Sequence, residues 1–255
     1  MRFAADLPNE RWQADITHWR LRDGTEVEIL NLIDDHSRLL IGSDALAVFK
    51  AADVVASFHR AAAVHGFPSS LLTDNGTVFT SAPRGGRCAI ELETARLGVR
   101  SVHSSPYHPQ TCGKVERFHQ TLKRWLARQR PAPTVRHLQR QLDRFRRYYN
   151  TCRPHRALGR RTPTEAFEAR PKATPSGQRL PTHCRIRRDR IDPSGVITLR
   201  YNSRLHHIGL GRRHAGTRVM VLVEDLNVRV ITEDGELLRE LTLDPSRDYQ
   251  RRTAP

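Results

Sequence analysis

Arg11-Trp12-Gln13-Ala14-Asp15-Ile16-Thr17-His18 is followed by Arg22-Asp23-Gly24-Thr25 and then Glu26-Val27-Glu28-Ile29-Leu30-Asn31-Leu32-Ile33. The outer segments read as strands, and the Asp-Gly between them signals a hairpin turn. The second strand alternates polar and apolar before running fully apolar. Asp15 falls mid-strand among Trp12, Ile16 and Trp19. An ionised carboxylate on a buried strand is costly unless it is paired or metal-bound; a sheet-edge Asp facing water is the equal alternative. Leu39-Leu40-Ile41-Gly42 extends the hairpin to an antiparallel meander.

Working outward, residues 51–65 are alanine-rich, with Val54, Val55 and Phe58 at helical spacing, and end at Gly66-Phe67-Pro68. Leu71-Leu72-Thr73 is a short buried strand turned by Asp74-Asn75-Gly76. Residues 89–97 read as a helix closed by Gly98, and Val99 to His103 as a fifth strand. After a loop over Ser104 to Thr111, a helix from about 112 to 129 carries Val115, Phe118, Leu122, Trp125 and Leu126. A second, from about 134 to 149, carries Val135, Leu138, Leu142, Phe145 and Tyr149. The expected architecture is an α/β domain over residues 1–168, a mixed five-stranded sheet flanked by helices. A Pro/Gly/Ser-rich linker follows at 169–182, then a small all-β, barrel-like domain at 183–247 and a tail at 248–255.

The formal charge is +16 over 255 residues, and residues 114–161 hold fifteen Lys/Arg against only Glu116 and Asp143. Clustering of this kind is an electrostatic footprint for a polyanion. No apolar run reaches the 18 residues a membrane helix needs, and Asp6, Pro8 and Glu10 do not suit a signal peptide. Cys88, Cys112, Cys152 and Cys184 are scattered without a CxxC pair, which argues against a zinc site or disulfide framework and fits a reducing cytoplasm.

Asp15 shares its chemistry with Asp74 and Glu116. Each has a bland reading: turn chemistry for Asp74, and the helix dipole for Glu116, near its helix start. Gln120 and Lys123 share the Glu116 face. Asp34 and Asp35 read as turn or Arg-paired acids, Glu91 and Glu93 as solvated helix residues. His103, His108 and His119 lack zinc spacing, although His108 and His119 stand where they can approach Glu116. Three converging acids need a cation between them, and hard divalent ions take oxygen ligands. On so basic a protein this points to metal-assisted phosphoryl transfer on nucleic acid.

The stretches around these acids form an ordered set. Pro8 to Thr17, then Leu72-Thr73-Asp74-Asn75-Gly76 with Phe79-Thr80-Ser81, then Ser105 to Thr111 with Gly113-Lys114-Val115-Glu116-Arg117-Phe118-His119, and finally Tyr149-Asn150, Arg153-Pro154-His155 and Thr162-Pro163 resemble the integrase-type DDE transposases of bacterial insertion sequences, relatives of retroviral integrase. The resemblance covers almost the whole chain. It implies an RNase H-like fold in which Asp15, Asp74 and Glu116 are catalytic and hold two Mg²⁺ (or Mn²⁺) ions. It further implies a polynucleotidyl transferase that cuts strands at element ends and joins them to target DNA, working in the nucleoid as a homo-oligomer on DNA, without membrane or small-molecule substrate. Lys114, Arg117, Gln120, Lys123, Arg124, Arg153 and His155 are the expected DNA contacts, and the β domain is expected to add more.

Two departures stand beside this. The Asp74–Glu116 segment is long, with Ala82 to Cys88 the expected insertion, and Cys112 replaces a frequent Asn. The helix-turn-helix region common before the catalytic core is not visible. A catalytically inactive or truncated remnant that only binds DNA is therefore the alternative, and an RNase H-type nuclease acting on hybrids is a third reading.

Overall fold

The structure, a computed structural model, describes residues 5–74, 76, 78–80, 88–103, 109–176, 184–201 and 203–251, with backbone alone at 109–113 and 184. The chain divides into two compact units, one of Met1–Phe49 with Ser57–Gln178, the other of Lys50–Ala56 with Arg179–Pro255.

The first unit is built on five strands: β1 (Trp12–Arg20), β2 (Glu26–Asp34), β3 (Leu40–Leu46), β4 (Ser70–Thr73) and β5 (Arg100–His103). Their order is β3-β2-β1-β4-β5, antiparallel from β3 to β1 and parallel from β1 to β5. This is the expected mixed sheet. Among the described residues five α-helices accompany the strands: α1 (Ala51–His65, whose first residues, up to Ala56, fall in the second unit), α2 (Ala89–Arg96), α3 (Pro109–Leu126), α4 (Val135–Thr151) and α5 (Pro163–Glu168).

Strand alternation sorts the sheet's two faces. Trp12 packs edge-on against Phe58 of α1, 5.8 Å between ring centroids. The opposite row of β2, Val27, Ile29 and Ile33, joins Leu40, Ala45 and the buried stripes of α3 (Phe118, Leu122, Leu126) and α4 (Leu138, Leu142, Phe145, Tyr149) in one core, against which Trp19 packs. The odd-numbered positions of β1, Asp15 included, therefore look toward α3. With the apolar stripe of α4 inward, Arg136, Arg140, Arg144, Arg146 and Arg147 lie exposed, so the amphipathic pattern that builds the core also displays the charge.

Several local expectations are corrected. α3 starts at Pro109, a turn before the expected start at 112, so the last part of the expected loop is helical. Glu93 is not solvated: it is buried, and its Oε1 lies 2.7 Å from His59 Nε2 of α1. Glu91 is tucked in, accepting from the Cys88 backbone N–H at 2.7 Å and lying 2.9 Å from His103 Nε2. The expected insertion lies outside the described residues except for Cys88, which precedes α2 as its N-cap. Asp34 and Asp35 behave as read: Ser37 donates its N–H (2.7 Å) and Oγ–H (2.6 Å) to Asp34, and Arg38 pairs with Asp35 at 3.3 Å.

From residue 184 on, the described part of the second unit is built of β-strands with one short 3-10 turn at Arg212–His214. A four-stranded antiparallel sheet is ordered β11 (Leu237–Thr242), β10 (Asn227–Thr232), β9 (Arg218–Glu224), β6 (Cys184–Arg190). A three-stranded sheet is ordered β12 (Tyr249–Gln250), β8 (Arg204–Gly209), β7 (Val196–Tyr201). Among the described residues these are two sheets, not one continuous ring, and they share a core that includes Ile197, Leu199, Ile208, Val219, Val221, Val228 and Val230. β6 was not legible because Arg185, Arg187, Arg188 and Arg190 hide its alternation, and β12 falls in the expected tail. Gly195 turns the chain at φ 83°, and a Cβ there would stand 2.4 Å from the Gly211 carbonyl carbon. Gly195→Ala is expected to cost more than about 1–2 kcal/mol through the left-handed backbone alone, read as a lower denaturant midpoint for this unit; an unchanged midpoint would show that the turn rearranges freely.

Candidate active site

β1 and β4 run side by side in parallel register, Ala14 opposite Thr73. The next residues along are Asp15 and Asp74, so the two carboxylates leave neighbouring strands on one side of the sheet. Asp74 directly follows β4, where its Oδ1 accepts the Gly76 N–H at 2.9 Å, so the expected turn role is present. Thr73 Oγ1 lies 3.1 Å from His103 Nδ1, and His103 pairs with Glu91, so a polar chain backs the strand end that presents Asp74. Glu116 is exposed on α3, one helical turn before His119.

Electrostatics tie the three acids together. The Asp15 carboxyl is pushed up to about 6, first by burial and next by the Asp74 carboxylate; Ile16 N–H, donating to Oδ1 at 2.8 Å, pulls it back, and Glu116 adds a further push. Asp15 thus feels both partners as like charges. Its proton is held more tightly folded than unfolded, so in metal-free protein this group's contribution to stability falls as pH rises from about 4 to about 6 and levels off above. Asp15→Asn is expected to flatten that part of the stability–pH curve; a curve unaltered by the substitution would show that Asp15 does not titrate in this window.

His119 approaches Asp15, its Nδ1 3.7 Å from Oδ2. Burial, then Lys123, brings its imidazole down to about 4, so the ring is neutral near pH 7. Its Nε2 lies 3.2 Å from Asn31 Nδ2. Asn31 is 1% exposed, a polar residue in an apolar row, and was not singled out from the sequence. Strand register is the signal that finds it, because Asn31 stands directly opposite Asp15.

The expected DNA contacts divide. Arg117, Gln120, Lys123 and Arg124 are exposed on α3. Arg124 and Arg153 come together with Arg128, Trp125 and Tyr148 around a groove of about 140 Å³. Lys114 instead turns inward and donates to buried Asp35 at 2.7 Å. His155 packs edge-on to Tyr149 at 4.9 Å, and burial followed by Arg153 brings it down to about 4. Of the seven, these two thus already have contacts within the protein. His108 lies outside the described residues.

Comparison with known proteins agrees with the fold of the first unit. Two family models, each described as "Integrase core domain", match residues 5–109 and 97–163. A protein of insertion element IS476 from Xanthomonas euvesicatoria is 25% identical over 64% of this chain and 45% of its own length. One of insertion element IS407 from Burkholderia multivorans is 28% identical over 66% and 58% respectively. The chain thus spans about half the length of these relatives. Among solved structures, the HTLV-2 integrase catalytic core domain in complex with magnesium has a TM-score of 0.50 at 18% identity, covering 64% of this chain and 98% of that one. A simian T-cell lymphotropic virus intasome in complex with a PP2A regulatory subunit has a TM-score of 0.55 at 20% identity, covering 96% and 82%. The mixed sheet is therefore the RNase H-like sheet of integrase catalytic cores, and the chain belongs to the integrase core domain family, alongside proteins of bacterial insertion elements.

Proposed function

We propose that this chain is a DDE transposase that cleaves DNA at insertion-sequence ends and joins the freed strands to target DNA, with Asp15, Asp74 and Glu116 as catalytic ligands of two Mg²⁺ or Mn²⁺ ions. The observation that carries this reading is the placement of Asp15 and Asp74 just after paired positions of β1 and β4, with the Asp15 carboxyl raised first by burial and then by Asp74 and Glu116. The donor set is entirely carboxylate oxygen, the set that hard divalent cations take, and a cation is what relieves such crowding. When bound, the ions would supply Lewis-acid stabilisation of the attacking and leaving oxygens.

The chain's own residues do the rest. Asp15 and Asp74 present oxygens from adjacent strands, and Glu116 presents its own from α3. The exposed Arg117, Gln120, Lys123 and Arg124, with the Arg124–Arg153 groove, hold the DNA backbone by charge and hydrogen bonding, which positions it without reading sequence. The β unit adds DNA contacts through its arginines, and the working form is a homo-oligomer on DNA in the cytoplasm. The intact acid set favours a working enzyme over a remnant that only binds DNA.

The test is joining of an end-bearing duplex to target DNA with Mg²⁺ or Mn²⁺. Metal-dependent joining, lost in Glu116→Gln while DNA binding survives, is the expected result; binding without joining under any metal would favour the remnant, and cleavage confined to RNA–DNA hybrid would favour a nuclease. Lys123→Ala with Arg124→Ala is expected to weaken binding similarly for all duplexes and to reduce the salt slope by about 2, measured by anisotropy titration from low to moderate salt. An unchanged slope would place the DNA elsewhere.

A further inference from the structure

Asp15, Asn31 and Ser43 form one cross-strand row on β1, β2 and β3: Asp15 pairs with Asn31, and Asn31 with Ser43. Directly opposed residues share a face, so a polar line crosses the sheet face that packs against α3 and α4. Ser43 donates its hydroxyl to Asn31 Oδ1 at 2.8 Å. Asn31 Nδ2 lies 3.4 Å from the Ile29 carbonyl oxygen. A carbonyl only accepts, so the amide group on that side is the NH₂. That NH₂ also faces His119 Nε2 at 3.2 Å, and an N–H pointing at Nε2 requires Nε2 to accept. The ring proton is then on Nδ1, the atom facing Asp15 Oδ2 at 3.7 Å.

From this geometry we infer that the Ser43–Asn31 pair fixes the tautomer of His119, so that its Nδ1–H restrains Asp15 and makes His119 a positioning residue for the metal site. The inference rests on the reading that Asp15 is a metal ligand. His119 is thereby excluded as a ligand itself: Nε2 is taken by Asn31 and Nδ1 carries the proton. The 3.7 Å separation suits a restraint that shortens on loading, since hydrogen bonds in unliganded sites are often long and tighten in the working complex. Asp15 Oδ1 is already held by Ile16 N–H at 2.8 Å; a donor at Oδ2 would fix the second oxygen and so the plane of the carboxylate. Partners of this kind to a ligand are worth about 10–100-fold in metal affinity.

The test uses the full chain, with Mn²⁺ as probe and two readouts. Nitrogen-15 NMR of the His119 ring is expected to show the Nδ1–H tautomer, and in Asn31→Asp, where an oxygen replaces the donor, the Nε2–H tautomer. Mn²⁺ calorimetry is expected to show a loss of about 10–100-fold in His119→Ala. His119→Asn, whose side-chain amide nitrogen stands close to where Nδ1 was, is expected to restore affinity, while His119→Gln, whose amide reaches past it, is not. A wild-type ring protonated on Nε2 overturns the inference, as does His119→Ala binding Mn²⁺ with wild-type affinity. Equal rescue by Asn and Gln would also overturn it, since any polar filler would then serve. Asp15→Asn is the control that separates the two levels: if it binds Mn²⁺ like wild type, the metal assignment fails first and the inference with it.

Discussion

Asp15→Asn is expected to lower strand transfer by at least ~10³-fold, about 4 kcal/mol of barrier, and at the same time to raise the melting temperature of the metal-free protein. The two effects share one cause. Asp15 is held on a strand by packing that favours the uncharged form, beside two acids that repel it, so its carboxyl stands at about 6 instead of 3.8. At pH 7 it is ionised, and the folded state bears the cost. A rise of that size corresponds to at most about 3 kcal/mol. With 29% of the side chain exposed, screening reduces this to on the order of 1–2 kcal/mol, or roughly 2–8 °C for units of this size. A neutral amide of the same shape removes that cost and the ligand together. Calorimetry in EDTA at pH 7, paired with a joining assay in Mn²⁺, checks both halves. Normal joining sinks the catalytic assignment of Asp15, and a lowered melting temperature sinks the claim of carboxylate crowding.

The hairpin, the meander and the helix over 51–65 were legible because period-two and period-3.6 patterns and a single Asp-Gly turn agree there with burial on one face. The three acids were put forward for a different reason: each sits in a motif whose order along the chain is distinctive, although none stands out from its own neighbours. What stayed hidden depends on pairing across strands. Asn31 and Ser43 look like ordinary strand residues until β1, β2 and β3 are laid in register. Glu93 looks solvated until α2 is set against α1, which brings His59 to it. Lys114 was expected at DNA from the resemblance of its motif, which carries no information about the buried Asp35 carboxylate that it meets. β6 failed because four arginines in seven residues outweigh its alternation.

Asp35 is where those hidden pairings carry the most energy, and Asp35→Ala is expected to destabilise the first unit by about 3–5 kcal/mol, the cost of breaking a buried ion pair from one side. The carboxylate is 1% exposed. It accepts from the Ala5 backbone N–H at 2.8 Å, from Gln13 Nε2, from Arg38 Nη1 at 3.3 Å and from Lys114 Nζ at 2.7 Å. One residue therefore joins the N-terminal segment, β1, the turn after β2 and the start of α3. Removing it leaves the ammonium of Lys114, whose pKa burial already lowers, without its close carboxylate. The melting temperature should fall by roughly 6–20 °C. Lys114→Met should cost less, because Arg38 and Gln13 still satisfy the carboxylate, and the double mutant should show a coupling energy within about 0.5–3 kcal/mol. Lys114 lies two residues before Glu116, so loosening this anchor should also lower joining, through α3, with less effect on DNA affinity, since the exposed arginines remain. A melting temperature within about 2 °C of wild type in Asp35→Ala, under about 1 kcal/mol for a unit this size, would mean that the pair is a surface-like contact and that the start of α3 is held by its apolar stripe alone.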